Sequence, residues 1–250
     1  MNWADPIAAG LSGLWLFDDP GDSTNGGTQW DLCRRYNGTH NAGSDTVTSS
    51  RGRVVQLNGS TGFIKVSNFL LRSGGTGVTM AIWAYSTDFA QNMMLIEKTL
   101  VNASYEMFCT DPSGSSLFYL RGGSATSLAT PLPSNSAWHH FLCTIDGSGN
   151  GTIYIDGEAK NAGGISAPVD PAGDLYIGCY DATGYLFNGL LDMPAVWNRA
   201  LSAAEVARLY ADPYGLIEKP SARLVVAVGA AAAVQVPYQP KYLWSPVMAQ

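Results

Sequence analysis

Short segments of alternating apolar and polar residues, separated by Gly-rich turns, recur along most of this chain. The clearest is 78–85 (VTMAIWAY), where Val78, Met80, Ile82 and Ala84 fall on one side of a strand. Its other side is also largely apolar, which predicts a strand buried on both faces. The stretch 54–66 predicts a hairpin, with Val55 and Leu57 pointing inward, a turn at 58–62, and Phe63, Ile64 and Val66 resuming. Further strands are expected at 93–97, 105–109, 117–121, 137–146, 152–156, 175–179 and 187–197. Residues 20–52, rich in Gly, Ser, Thr, Asn and Asp, read mostly as loop.

One helix stands out. Ser202 is a natural N-cap, Glu205 three residues later completes a capping box, and Asp212-Pro213 ends the run. Strands spaced every 8 to 15 residues or so, without α/β alternation, predict an all-β, two-sheet antiparallel sandwich. The helix is then laid beside the closing strand.

Charged residues are 14% of the chain and the net charge is -6. An average domain has roughly 25%, so Ser, Thr, Asn and Gly must cover much of the surface. No basic run exceeds Arg34-Arg35, which argues against nucleic acid, whose binding needs clustered cations. The first basic residue is Arg34, so no recognisable signal peptide is expected. The longest apolar run, 224–236, is interrupted by Gly229 and Gln235 and falls short of the ~20 residues of a membrane span. Cys33, Cys109, Cys143 and Cys179 match no zinc spacing. They are expected as free thiols in a chain long enough to fold without staples.

The blocks GLWLFDD at 13–19, LNGSTGFIKV at 57–66, VTMAIWAY at 78–85, WHHFLCTIDGSGNGTIYIDG at 138–157, LYIG at 175–178 and the stretch 187–210 follow one another in a familiar order. They resemble the laminin-G-like, concanavalin A-like jelly-roll domains found in phage and bacterial surface proteins. The resemblance spans about residues 11–214. It implies a jelly-roll sandwich over 1–214 with Trp83 as a core aromatic, followed by a departure from the pattern over 215–250. For the adjacent His139 and His140 it implies structural roles, one packed inside and one bonded to a neighbouring strand.

The resembled fold hosts lectins, glycosidases, adhesion modules and virion proteins. Its glycosidases carry a Glu-x-Asp-x-x-Glu strand. Here no glutamate is followed two residues on by a carboxylate, and no nucleophile-elbow motif is present, so no enzyme activity is expected. No cofactor is required. Structural calcium is considered because Asp18 or Asp19 could converge with Asp192, the lone carboxylate of an apolar strand. Alternatively, Asp192 bonds backbone amides or Arg199.

The loop 178–189 carries Tyr180, Asp181, Tyr185 and Asn188, aromatic and polar groups of the kind that hold a sugar. It reads equally as a polar hairpin tip with a buried tyrosine. Residues 215–250 are expected to form an apolar, Pro- and aromatic-rich arm, with Leu224, Val226, Val228, Tyr238, Tyr242 and Trp244 as contacts to another subunit, whether capsid, tail or a second copy. The leading expectation is a phage virion surface component, of decoration or spike type. The alternative is a glycan-binding, lectin-like module on a cell or particle surface.

Overall fold

The computed structural model describes residues 1–17, 26–71, 76–91, 93–98, 105–109, 117–122, 126–167 and 172–217. The predicted arm contacts from Leu224 to Trp244 therefore lie outside the described residues, as do Asp18 and Asp19. The strands are β1 (Leu11–Leu14), β2 (Thr28–Gln29), β3 (Gly38–His40), β4 (Ser44–Ser49), β5 (Gly52–Asn58), β6 (Ile64–Val66), β7 (Gly77–Tyr85) and β8 (Met93–Lys98). They continue as β9 (Tyr105–Cys109), β10 (Leu117–Gly122), β11 (Thr126–Pro131), β12 (Trp138–Asp146), β13 (Asn150–Ile155), β14 (Glu158–Gly164), β15 (Leu175–Ile177) and β16 (Asn188–Trp197), followed by helix α1 (Ala203–Ala211).

Two antiparallel sheets face each other. The first runs β14-β13-β12-β7-β16-β5-β4, with β1 also on β16. The second runs β11-β10-β9-β8-β15-β6-β3-β2. Strand β16 pairs with β5 over its first residues and with β1 over its last. The switch falls at a bulge between Asp192 and Ala195, where Met193 takes a φ of 49°.

Strand β7 shows why this sequence builds layers. Val78, Met80, Ile82 and Ala84 enter the cluster between the sheets beside Phe141 of the neighbouring β12, with Phe118 and Ile177 of the second sheet opposite. Ala81 points the other way, into a second apolar cluster with Leu142, Trp197, Val206 and Leu209. Helix α1 thus covers the outer face of the first sheet, and β7 is buried on both faces as its composition predicts. Burying Val206 and Leu209 contributes about 2 kcal/mol each. The helix begins as expected: Ser202 Oγ accepts from the Glu205 amide, and Glu205 Oε2 accepts from the Ser202 amide at 2.8 Å. Arg199 adds a tie by donating to Glu205 Oε1 at 2.6 Å and to the carbonyl of Ala9 at 2.7 Å.

Most of the described residues of 20–52 lie outside strands, as expected, but β2, β3 and β4 fall within them and β4 forms a hairpin with β5. β4 (SDTVTS) is a half-exposed edge strand, so β-branched Thr and Val mark it rather than an apolar alternation. The stretch 54–66, by contrast, is not the expected hairpin. β5 pairs with β4 and β16 in one sheet, and β6 pairs with β3 and β15 in the other. The chain crosses between sheets at Asn58, whose Oδ1 accepts from the amides of Ser60, Thr61 and Gly62 at 2.9–3.0 Å. Trp83 is buried, as expected of a core aromatic, on the helix side of the first sheet, where it stacks with Tyr210 of α1 at 5.5 Å. Cys109, Cys143 and Cys179 are buried thiols, the first two within the inter-sheet core.

Candidate functional site

The outer face of the second sheet carries a transverse row of polar side chains. Because Leu175 and Ile177, Tyr105 and Met107, and Phe118 and Leu120 enter the core, Tyr176, Glu106 and Arg121 turn outward. Glu97 stands opposite Tyr176 on one side and opposite Glu106 on the other, and Glu106 stands opposite Arg121. The row therefore reads Tyr176, Glu97, Glu106, Arg121 across β15, β8, β9 and β10. Arg121 Nη1 donates to Glu106 Oε2 at 3.1 Å.

Two carboxylates directly opposite on neighbouring strands repel when both are charged. Glu97 is 0% exposed. Burial first, and then the charge of Glu106, push its carboxyl up to about 8, against the downward pull of an amide from Asp181. Burial thus favours its protonated form. Its Oε2 accepts that amide at 2.7 Å, while Oε1 has no hydrogen-bond partner.

The covering segment is the 178–187 loop. It leaves β15 at Gly178, where φ is +86° and an added Cβ would lie 2.2 Å from Leu57 Cδ1. It then turns back on itself through reciprocal backbone bonds between Tyr180 and Gly184. Asp181, Ala182 and Tyr185 all hold positive φ, at 47°, 57° and 50°. Tyr180 meets Tyr185 edge-on, with ring centres 5.6 Å apart. Tyr185 and Asp181 are exposed, whereas Tyr180 is half-buried against Met94 and Ala129. Burial and the surrounding carboxylates of Glu106, Glu97 and Asp181 push the Tyr180 hydroxyl up.

Of the four residues expected at a ligand site, the structure gathers Tyr180, Asp181 and Tyr185. Asn188 is set apart. It opens β16 opposite Asn58, and its Cβ lies against Gly59. The sequence reading missed Glu97, Glu106, Arg121 and Tyr176. The available signal was a glutamate at the end of one apolar strand and another inside the next, a pair brought together by strand register rather than by spacing.

The expected cation ligands fare differently. Asp192, on β16 opposite Trp83, receives Nε of Arg51 at 2.9 Å. Its partner is thus Arg51 rather than Arg199, and the pair is nearly closed to solvent, with the side chains 15% and 5% exposed. Among the described residues no group of three or more His, Cys, Asp or Glu side chains is gathered as metal ligands.

His139 and His140 face opposite sides of β12, as adjacent strand residues must. His140 is buried beside the stacked rings of Trp83 and Tyr210, and its Nδ1 has no partner among the described residues. Burial, helped by the Arg51 charge, pushes it down to about 3. His139 Nδ1 lies 2.7 Å from Asp156 Oδ2, and Nε2 lies 3.2 Å from Ser134 Oγ. Ser134, His139 and Asp156 thus form a hydrogen-bonded chain. However, Nε2 also lies 3.1 Å from the carbonyl of Ser134 itself.

Over residues 58–207 the chain matches the laminin-G family of the concanavalin A-like lectin/glucanases superfamily, and it belongs to that family. No curated protein matches it. Similar solved structures include domain 4 of AbnA, a GH43 extracellular arabinanase from Geobacillus stearothermophilus, in complex with arabinotriose. It is 18% identical with a TM-score of 0.61, and the match covers 80% of this chain and 98% of that one. The binding domain of Paraclostridial Mosquitocidal Protein 1 is 16% identical with a TM-score of 0.62, covering 83% of this chain and 53% of the other. Trypanosoma rangeli sialidase is 16% identical with a TM-score of 0.63, covering 83% of this chain and 33% of the enzyme. These likenesses establish a shared jelly-roll fold.

Proposed function

We propose that this lectin-like domain is a non-catalytic glycan-binding module whose site is the 178–187 loop on the outer face of the second sheet. The observation that carries the reading is the edge-on pair of Tyr180 and Tyr185, with Tyr185 exposed and the Asp181 carboxylate beside it. An exposed ring stacks on the apolar face of a sugar, while a carboxylate and a tyrosine hydroxyl accept and donate to its hydroxyls. The exposed charge at the loop is that of Asp181, and the chain carries a net -6. The ligand class is therefore an uncharged saccharide rather than an acidic one. Similarity to a domain solved with arabinotriose supports a saccharide in general.

Titration calorimetry against a panel of neutral and acidic oligosaccharides tests this. A neutral member should bind, and Tyr185→Ala should weaken it at least about tenfold, the loss of one good stacking contact. Asn188→Ala should leave binding unchanged, because Asn188 faces Gly59. Binding that survives Tyr185→Ala would place the site elsewhere.

A place on a virion or other particle surface is the second reading. It is supported by the low charged fraction of 14% and by the apolar composition of 224–244. Labelled antibody against the chain, imaged on intact particles from the producing cells, would test it.

A further inference from the structure

The most unusual group in the molecule is Glu97, a carboxyl closed off from solvent on the outer, not the inner, face of a sheet. The 178–187 loop lies against it, fastened by a hydrogen bond from the Asp181 amide to the carboxyl. The buried oxygen left over, Oε1, has no partner. Glu106 of β9 faces it as a like charge, held by Arg121 of β10. Tyr176 of β15 faces it from the other side, and Cys179, Tyr180 and Asp181 approach from the loop. Among the described residues no cation is hydrogen-bonded to Glu97.

We propose that the 178–187 loop is a pH-responsive cover on the saccharide site, latched by the Glu97–Asp181 hydrogen bond and released as Glu97 ionises against Glu106. Charging Glu97 in place would put two adjacent buried carboxylates on neighbouring strands and leave one ionised oxygen bare. Water relieves both penalties only if the loop lifts. The sign follows from proton binding. With the loop closed the carboxyl holds its proton up to about 8, and with the loop open it falls toward the ordinary value of 4.5. The closed form is fully favoured below the ordinary value. It loses about tenfold in population relative to the open form for each pH unit between the two values, and nothing further above the higher one. Tyr185 and Asp181 move with the loop, so saccharide affinity follows the same curve. Only this last statement rests on the functional reading above.

Hydrogen exchange of the amides in 178–187, corrected for intrinsic rate and followed from about pH 5 to about pH 9, tests the latch without any ligand. The expected result is protection that falls about tenfold per unit up to about pH 8 and then levels off. In Glu97→Gln, which keeps an acceptor and cannot ionise, the profile should be flat. Protection independent of pH in the unmodified chain, or a slope that survives in Glu97→Gln, overturns the proposal. If Glu97→Gln does not fold, Glu106→Gln decides. Removing the like charge should bring the levelling-off to lower pH, and an unchanged profile overturns the latch.

The saccharide arm separates the two claims. A neutral oligosaccharide whose affinity is constant across the window overturns the pH response while the site stands. A protection slope with no saccharide bound at any pH supports the latch and overturns the glycan reading.

Discussion

The guanidinium of Arg51 lies 3.8 Å from the ring centre of Trp83. Its Nε donates to Asp192 at 2.9 Å, and Tyr210 of α1 also stacks on Trp83. A residue in the β4–β5 turn therefore touches the two central strands of the first sheet, and through Trp83 it reaches the helix. A cation over an aromatic face gains electrostatic attraction when water is excluded. The carboxylate of Asp192 supplies the compensating charge. It does so from the bulge at which β16 slips register against β7.

Asp192→Asn should therefore destabilise the fold by about 2 kcal/mol, because a charged hydrogen bond is replaced by a neutral one and Arg51 is left poorly compensated. Urea unfolding, run once with added calcium and once with chelator, measures this. The expected loss is the same in both. A loss confined to the calcium arm would assign Asp192 to a cation.

Stability should follow a flat-topped pH profile set by two buried groups of opposite sign. Glu97, raised from 4.5 to about 8, contributes stability that is complete below 4.5 and is lost as pH climbs to about 8. His140, lowered from 6.5 to about 3, contributes stability that is complete above 6.5 and is lost as pH falls toward 3. Between 4.5 and 6.5 the two slopes cancel, and outside that window each costs about 1.4 kcal/mol per unit. Glu205, held at about 2 by Arg199, steepens the acid side below 4.5. Chemical unfolding across pH should show the plateau, and Glu97→Gln should flatten the profile above 6.5 while the His140 slope, no longer cancelled, extends up through 4.5–6.5. An alkaline limb of equal slope in that variant would show that another group causes it.

What the sequence made legible was what local pattern determines. Ser202 and Glu205 sit three residues apart and form the cap that spacing requires, and the double-sided apolar pattern of β7 matches its two buried faces. Strand β4 was hidden because an edge strand with one wet face has no apolar stripe to show. The crossing at Asn58 was hidden because the same Asn-Gly signal serves a hairpin turn and a passage between sheets. The Glu97–Glu106 pair depends on register across a hairpin, including a bulge between Met94 and Ile96. A shift of one residue would have sent Glu106 to the opposite face. Asn188 looked like a partner of Tyr185 because it is three residues away, yet the chain enters β16 there and carries it to Asn58.

The same register raises the question of hydrolysis, since two geometries here resemble catalytic ones. Glu97 and Glu106 are opposed carboxyls, as a glycosidase needs, but they are 0% and 3% exposed. Arg121 holds Glu106, and the loop amide holds one oxygen of Glu97, so neither addresses a sugar bond that water could reach. Ser134, His139 and Asp156 are linked as an acyl-transfer relay would be. Yet His139 Nε2 lies as close to the Ser134 carbonyl as to the hydroxyl, so the ring is not aimed at the hydroxyl alone, as a relay to a nucleophile would need. The linkage is a clamp joining the turn before β12 to the turn after β13. A fluorophosphonate probe should leave Ser134 unlabelled, and Ser134→Ala should change stability by less than about 0.5 kcal/mol. His139→Ala should cost about 2 kcal/mol, because it empties a site between Phe89, Phe141 and Asp156. Glycan panels should show no turnover. Probe labelling at Ser134 that vanished in His139→Ala would make the clamp a catalytic relay, and the binding-module reading would then fail in its claim of no chemistry.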